Sequence, residues 1–210
     1  GGLIDIFVSR LSPAGDALTY STYRGGDQVD RGRAIALDAA GDVYITGVTS
    51  STNFPLANPQ QSELRGSTDV YAAKLSPARG TLDYSTYLGA GGLDYGTSIV
   101  IDAAHRAFVA GHTNSGLFPV LNPLQATKGG AIDAFILRFS AQGDLEYSSF
   151  LGGAGNDYAN AIALDGAGNI VVAGQTDSQN FPRANALQTN LAGATDAFVI
   201  EMFETFVEPL

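Results

Sequence analysis

Three glycine-rich loops carry the residues whose types and spacing most resemble those of a metal site. The clearest, Gly152-Gly-Ala-Gly-Asn-Asp157, fits a G-G-x-G-x-D calcium pattern, and degraded copies end at Asp30 and Asp94. In nonapeptide-repeat proteins, copies about nine residues apart stack and share each ion, whereas these copies are 63 or 64 residues apart. We therefore expect structural loops, in which the glycines permit sharp chain reversals and each Asp accepts hydrogen bonds from loop amides. Calcium at Asp30, Asp94 and Asp157 is the alternative.

A second set of aspartates recurs at the start of short apolar segments. Its members are Asp5, Asp69, Asp133 and Asp196. A ring of carboxylates would suit acid–base catalysis, but an Asp at the start of a strand commonly accepts hydrogen bonds from its own turn. We favour that structural role.

The two histidines do not form a metal pair. His105 and His112 stand at opposite ends of a predicted strand, which separates them by roughly 20 Å. For His112 we expect a hydrogen bond at the surface or between neighbouring repeats. The sequence contains no nucleophile elbow, no H-E-x-x-H motif and no phosphate loop. The absence of cysteine excludes thiol catalysis and thiolate metal sites.

These residues belong to a long repeat. The segments that begin at Asp5, Asp69, Asp133 and Asp196 recur at offsets of 64, 64 and 63 residues, giving units 5–68, 69–132 and 133–195 and a final partial unit 196–210 within one region, 1–210. Each unit holds four short runs rich in Val, Ile, Tyr, Phe and Thr, separated by Gly, Pro, Asp and Ser, which predicts four strands. No stretch of helical length has a 3.6-residue apolar period, so we predict an all-β fold of propeller type.

Composition restricts the partners. The net charge of −10, with 11 basic residues, argues against nucleic acid and against anionic membrane surfaces. No apolar run approaches the roughly 20 residues that span a bilayer. The chain opens with Gly-Gly, without Met or a signal sequence, and we expect a mature or trimmed segment.

Five short sequence segments recur from one repeat to the next. They are Asp69 to Leu75, Tyr84 to Gly89, Ala34 to Asp38, Asp42 to Gly47 and Asn53 to Pro55. Together with the equivalent segments of the other repeats, these segments resemble the SBBP family of bacterial β-propeller repeats over nearly the whole chain. The resemblance implies a protein secreted from bacteria or held at their surface, and it carries over no catalytic residues.

The hairpin from Ala34–Asp38 to Val43–Gly47 also looks like the first two strands, A and B, of a propeller blade in the related NHL repeats. By that analogy Ile35 lies on the innermost strand A, Tyr44 on B, Tyr71 on C and Tyr84 on the outer strand D. The chain then consists of CD, ABCD, ABCD and ABC, or about three blades of four antiparallel strands. Propellers close with about 4 to 8 blades, so the chain is either part of a longer propeller or part of a ring completed by another copy.

Strand alternation places the long loops on one face. Connections from D to A and from B to C emerge together, and the tight A–B and C–D turns emerge on the opposite face. Ligands usually bind variable loops on a rigid frame. The candidate ligand-face residues are Asp27, Asp30, Asp94, Asn156 and Asp157.

The sequence supports three functions. We favour a non-catalytic extracellular or cell-surface interaction module with a protein or glycan partner, which requires no special residues and no cofactor. The first alternative is a carbohydrate-binding propeller with one weak site per blade. The second is a polysaccharide hydrolase or lyase, for which Asp27, Glu63 and Arg65 are the non-repeating candidates.

Overall fold

The computed structural model of the chain describes residues 2–78 and 80–203. These residues form thirteen β-strands: β1 (Ile6–Leu11), β2 (Leu18–Arg24), β3 (Asp30–Leu37), β4 (Val43–Thr49), β5 (Asp69–Ser76), β6 (Thr81–Leu88), β7 (Asp94–Ile101), β8 (Ala107–Thr113), β9 (Asp133–Phe139), β10 (Leu145–Leu151), β11 (Asp157–Leu164), β12 (Ile170–Thr176) and β13 (Asp196–Met202). The predicted all-β class is confirmed. Within these ranges no helix is long and apolar enough to cross a membrane. Residues 204–210 of the predicted final unit lie outside the described residues.

The strands assemble into four antiparallel sheets, ordered β1–β2, β3–β4–β5–β6, β7–β8–β9–β10 and β11–β12–β13. The predicted order CD, ABCD, ABCD, ABC is therefore confirmed. We call the four sheets the first half blade, blade 1, blade 2 and blade 3. Among the described residues the array is open, with two strands in the first half blade and three in blade 3.

The A strands lie side by side at the inner edge of the array. Strand β7 packs between β3 and β11. The Thr97 hydroxyl donates to the Ala159 carbonyl at 2.7 Å, and the Ile162 amide donates to Ser98 Oγ at 3.2 Å. These bonds bind blade 2 to blade 3 at the axis, where the analogy placed strand A.

Alternating apolar residues fill the spaces between blades. Tyr44 and Tyr84 of blade 1 pack against Phe135 and Phe139 of blade 2, and all four are 0 or 1% exposed. Burying a side chain of this size contributes about 1.5–3 kcal/mol. Tyr84 is thus a core residue and has no face free to stack on a sugar.

Tight turns join strands A and B on the face opposite the long loops. In the first turn Asp38 Oδ1 accepts hydrogen bonds from two turn amides at 3.0 and 2.9 Å. The left-handed position is Gly41 (φ 82°) in this turn and His105 (φ 61°) in the second. A left-handed non-glycine residue costs roughly 1–2 kcal/mol. In compensation, His105 Nδ1 hydrogen-bonds Asp38 Oδ2 at 2.9 Å and joins the turns of blades 1 and 2.

The B-to-C connections begin on the long-loop face and then descend along the outer strand D. Backbone bridges pair Ala57 with Ser85 and Leu121 with Ser148. The sequence did not indicate this descent. The connection covers the outer edge of strand D, which would otherwise expose unpaired backbone groups.

Candidate functional site

The three loop aspartates begin the A strands, and their side chains are buried. Asp30, Asp94 and Asp157 are each 0% exposed. Asp94 Oδ2 accepts hydrogen bonds from the Ala90 amide at 2.9 Å and from Ser115 Oγ at 3.0 Å, and its Oδ1 accepts one from the Thr113 hydroxyl. All three donors belong to the same blade or to the loop that leads into it.

The copy at Asp157 repeats this arrangement. The copy at Asp30 repeats it only at Oδ2, because Asp30 Oδ1 has no hydrogen-bond partner among the described residues. Asp157 Oδ2 accepts from the Gly153 amide at 2.7 Å and from Ser178 Oγ at 2.9 Å. Asp30 Oδ2 accepts from the Gly26 amide at 2.7 Å and from Ser51 Oγ at 2.8 Å. Because the serines stand in B-to-C connections, each Asp ties that connection to the D-to-A loop. The two long connections therefore share one face, as predicted.

The aspartates that begin the C strands form a second buried set. Asp69 Oδ2 accepts from the Arg65 amide at 3.0 Å, and its Oδ1 accepts from the Gly66 amide at 3.2 Å. Gln61 Nε2 also donates to Asp69 Oδ2 at 2.7 Å, and Gln61 Oε1 accepts from the Gly89 amide at 3.1 Å. The turn-capping role predicted for Asp69 is present, and the glutamine is an additional partner.

The Gln–Asp pair recurs in all three connections. Gln125 Nε2 donates to Asp133 at 2.8 Å, and Gln188 Nε2 donates to Asp196 at 2.6 Å. The separation of 8 residues is the same each time. This partnership was not predicted from the sequence, although the constant spacing of Gln and Asp is a pattern that indicates it.

Each glycine loop brings two carboxylates close together. A Cβ on Gly89 would lie 2.6 Å from an oxygen of Asp69 and 2.6 Å from an oxygen of Asp94. No larger residue fits there. Burial raises the pKa of the Asp94 carboxyl to about 6, in part offset by its hydrogen bonds, and the charge of Asp69 adds to the increase. Burial likewise raises the pKa of Asp157 and of Asp69.

This chemistry does not fit a calcium site. Calcium needs about six to eight oxygen ligands, but the neighbours of Asp94 and Asp157 are N–H and O–H donors that already occupy the carboxylate oxygens. Residues 2–78 and 80–203 contain no group of three or more His, Cys, Asp or Glu side chains placed to hold a metal ion.

The exposed loop residues are arranged differently. Asp27 is exposed, and its amide donates to Asn53 Oδ1 at 2.9 Å. Asn156 is partly buried and donates through Nδ2 to Asp177 Oδ2 at 2.9 Å. Among the described residues no hydrogen bond or ion pair joins the side chains of Asp27, Glu63 and Arg65. The carboxylate–cation constellation of the enzyme alternative is not assembled.

An aromatic cluster lies near the axis at the long-loop end of the A strands. The His112 ring stacks on Tyr95 with ring centroids 5.1 Å apart and meets Tyr158 edge-on at 4.9 Å. Its Nδ1 has no hydrogen-bond partner within the described ranges, so ring packing replaces the predicted hydrogen bond. Burial and, to a smaller extent, the charge of Arg33 lower the pKa of His112 to about 4.

This cluster was not predicted from the sequence. The one sequence feature that indicates it is an Asp-Tyr pair at the start of β7 and of β11. The position equivalent to the tyrosine in β3 is Arg31. Arg31 and Arg33 are both exposed, and neither forms an ion pair within the part of the chain that the structure describes. The long-loop end of the A strands, near the axis, therefore combines two exposed guanidinium groups with three partly buried rings.

Two basic residues of strand C are paired locally. Lys74 Nζ lies 3.4 Å from Asp42 Oδ2 and 5.1 Å from the Tyr44 ring centroid. Arg138 Nε lies 3.0 Å from Glu146 Oε2. Both cations therefore belong to the scaffold.

Sequence comparison supplies an independent finding. A family model described as Beta-propeller repeat (SBBP) matches residues 19–55, 83–119 and 146–182, which together exceed half of the chain. No curated protein matches the chain in sequence. Each match begins in strand D of one sheet and runs through strands A and B of the next.

Proposed function

Because the chain belongs to the SBBP family of β-propeller repeats, we propose that it is a non-catalytic interaction module that presents its long loops to a partner. One observation carries the proposal. The carboxylates that recur in every unit, Asp30, Asp94 and Asp157, are buried, and each accepts hydrogen bonds from a loop amide and a serine hydroxyl. A carboxylate so placed holds a loop in shape and has no access to a substrate.

The loop tips supply the surface for recognition. The position three residues before each buried Asp is Asp27, Gly91 or Ala154, and it is exposed in all three loops. Variable, exposed residues on a rigid frame are typical of binding surfaces. The identical Asp and the varied tip thus divide the loop into a structural part and a recognition part.

The partner proposed for this face is a protein or a glycan of a cell surface. The net charge of −10 disfavours nucleic acid and anionic lipid. The module functions outside the cell or on the bacterial surface, and no cofactor enters the proposal.

The experiment measures binding of the fluorescently labelled chain to intact bacterial cells. We expect saturable binding that Asp27→Lys weakens. Asp16→Lys makes the same change of charge at an exposed site in the C–D turn on the opposite face and should leave binding unchanged. Equal effects of the two substitutions would refute a loop-face interaction. Release of reducing ends from polysaccharides that is lost in Asp27→Asn would favour the hydrolase or lyase instead.

The axial aromatic cluster favours carbohydrate binding as a second candidate function. Tyr95, His112 and Tyr158 offer ring faces, and Arg31 and Arg33 offer unpaired guanidinium groups for a sugar carboxylate. The test is a glycan array that includes neutral and uronate polymers. Binding of uronates lost in Arg31→Ala but kept in Arg24→Ala would support this site. If neutral glycans also bind in a way that depends on Arg31, or if no glycan binds, the site is not specific for acidic sugars.

A further inference from the structure

Two departures from the repeat meet at one glycine loop of blade 2. The loop comprises residues 89–93 and joins β6 of blade 1 to β7 of blade 2. Leu117, in the B-to-C connection of blade 2, and Arg65, in that of blade 1, both differ from the residues at equivalent positions. Residues that recur in every unit serve the shared scaffold, so neighbouring residues that break the repeat indicate a separate role.

Leu117 takes the place of a residue that caps the loop tip in the other blades. In blade 1 Asn53 Oδ1 accepts a hydrogen bond from the Asp27 amide at 2.9 Å, and Asn180 forms the same bond in blade 3 at 2.7 Å. The leucine side chain has no acceptor atom. The equivalent amide in blade 2, that of Gly91, donates to no other residue in the ranges 2–78 and 80–203.

The backbone around Leu117 nevertheless follows that of the other two connections. The Phe118 amide donates to the Ser115 carbonyl at 3.3 Å, and the equivalent bonds in blades 1 and 3 measure 3.4 and 3.2 Å. Ser115 Oγ accepts from the Gly92 amide at 3.0 Å, as the equivalent serines do in the other blades. Leu117 therefore stands beside the loop tip, where the asparagines stand, and its side chain is 88% exposed.

Arg65 brings a positive charge to the same loop. It precedes Gly66, which packs so closely on the loop that a Cβ there would meet the carbonyl oxygens of Ala90 and Gly92. Arg65 is exposed and forms no ion pair within the described part of the chain. The equivalent residue beside the blade 3 loop is Gly129. The loop of blade 2 thus combines a free amide, a guanidinium group and an exposed apolar side chain.

We propose that this loop, with Arg65 and Leu117, binds an extended segment of a protein partner through one leucine-like side chain and the main-chain carbonyl oxygens beside it. The apolar side chain packs on Leu117. The Gly91 amide donates to a carbonyl oxygen at the place that the Asn oxygen takes in the other blades, and Arg65 donates to a second carbonyl oxygen. A Cβ on Gly91 or Gly116 would meet no other atom within 4 Å, so a peptide backbone can approach both residues. This inference rests on the proposed function and names the part of the loop face and the kind of partner.

Charge favours a neutral carbonyl oxygen over a carboxylate at this place. Asp69 and Asp94 are buried under the loop, on either side of Gly89. The charge of Asp69 contributes to the raised pKa of Asp94, as expected for neighbouring like charges. An anion bound at Gly91 would add to this repulsion, whereas a peptide carbonyl accepts the same hydrogen bond without a net charge.

Amide NMR of the isotope-labelled chain tests the site with capped tripeptides. Acetyl-Ala-Leu-Ala-amide should shift the Gly91 and Leu117 amide resonances saturably, and acetyl-Ala-Asp-Ala-amide should not. Leu117→Asn should weaken binding at least about tenfold, because it removes the apolar contact and gives the Gly91 amide an internal acceptor. Leu124→Gln is the matched control. It restores the residue found in blade 1 at a 65% exposed leucine of the same connection, and it should leave binding unchanged.

Two further measurements separate recognition from folding. Arg65→Ala removes one hydrogen-bond donor and should weaken binding of the leucine peptide about two- to tenfold. Leu117→Asn should melt at or above the temperature of the native chain, because Asn can form the capping bond of blades 1 and 3. Its loss of peptide binding then reflects the missing apolar contact and not an unfolded loop.

Three results would overturn the inference: no saturable shift with the leucine peptide, equal weakening by Leu117→Asn and Leu124→Gln, or tighter binding of the aspartate peptide. Binding to bacterial cells distinguishes this inference from the proposed function. If the native chain and Leu117→Asn bind cells equally well, the inference fails and the loop-face function stands. If the native chain does not bind cells, the proposed function fails, and the peptide titration still decides the site.

Discussion

Substituting Asp94 by Asn should change stability in a way that depends on pH. Asp94 is 0% exposed and receives three hydrogen bonds. The Asn side chain keeps the shape and one acceptor oxygen, but it lacks the second acceptor oxygen and the negative charge. Losing one neutral hydrogen bond costs about 0.5–1.5 kcal/mol, and this cost should be visible at low pH, where the native carboxyl is protonated.

The pKa of Asp94 sets the size of the pH effect. Its value of about 6 in the folded chain exceeds the ordinary value of 3.8, so ionisation is less favourable in the folded state by about 3 kcal/mol. For an acid whose pKa rises on folding, the associated stability is fully present below the unfolded pKa. That stability is lost as the pH rises through the folded pKa. The native chain therefore loses up to about 3 kcal/mol from this group between about pH 4 and pH 7, and Asp94→Asn does not.

The assay is urea unfolding of the native and Asp94→Asn chains across this pH range. Relative to the native chain, the variant should gain about 3 kcal/mol between the acidic and neutral ends. Asp27→Asn removes a charge from an exposed loop tip and should show a much smaller change. A difference between the native chain and Asp94→Asn that stays constant with pH, or that moves in the opposite direction, would refute the reasoning.

Three further predictions concern the scaffold and the axial cluster. Gln61→Ala should lower the free energy of unfolding by about 2–3 kcal/mol, because it removes a buried partner of a carboxylate; Gln188→Ala, at the exposed equivalent position, should cost less than about 1 kcal/mol in the same urea titration. Gly111→Ala should cost about 3 kcal/mol or more by overpacking, since its Cβ would meet the Tyr95 carbonyl and the Phe135 ring, while Gly116→Ala, with open space around it, should be near neutral by thermal melting. The pKa of His112 is lowered to about 4, so its contribution to stability should fall as the pH drops from about 6.5 towards 4. His112→Gln should therefore lower the pH at which half of the chain is unfolded by acid. An unchanged midpoint of acid unfolding would contradict this prediction.

The strand order was predictable because it depends on local pattern. Alternating apolar residues, the turn residues Gly41 and Gly168, and a period of 64 or 63 residues all act within one repeat. The period also located Asp30, Asp94 and Asp157 at equivalent places. Their hydrogen-bonding role followed from the general chemistry of Asp in turns.

Other features depend on groups distant in the chain. His112 meets Tyr158 only because strands A of adjacent blades converge at the axis. The pKa of Asp94 depends on burial and on Asp69, which comes from the C strand of the preceding blade. Neither can be derived from spacing, because propeller blades approach one another at an angle that no single repeat encodes.

The sequence by itself determined the all-β class, the four-strand unit and the offset that leaves strands C and D at one end and A, B and C at the other. Those properties follow from side-chain alternation and turn chemistry, which are local. Only the tertiary structure decided that the repeated carboxylates are buried and occupied, and that the connections run down the outer strands. It also decided which residues the first half blade exposes. Burial is a property of the neighbours a residue acquires on packing: Phe7 and Tyr71 hold the same position in the repeat, yet one is 71% exposed and the other 0%.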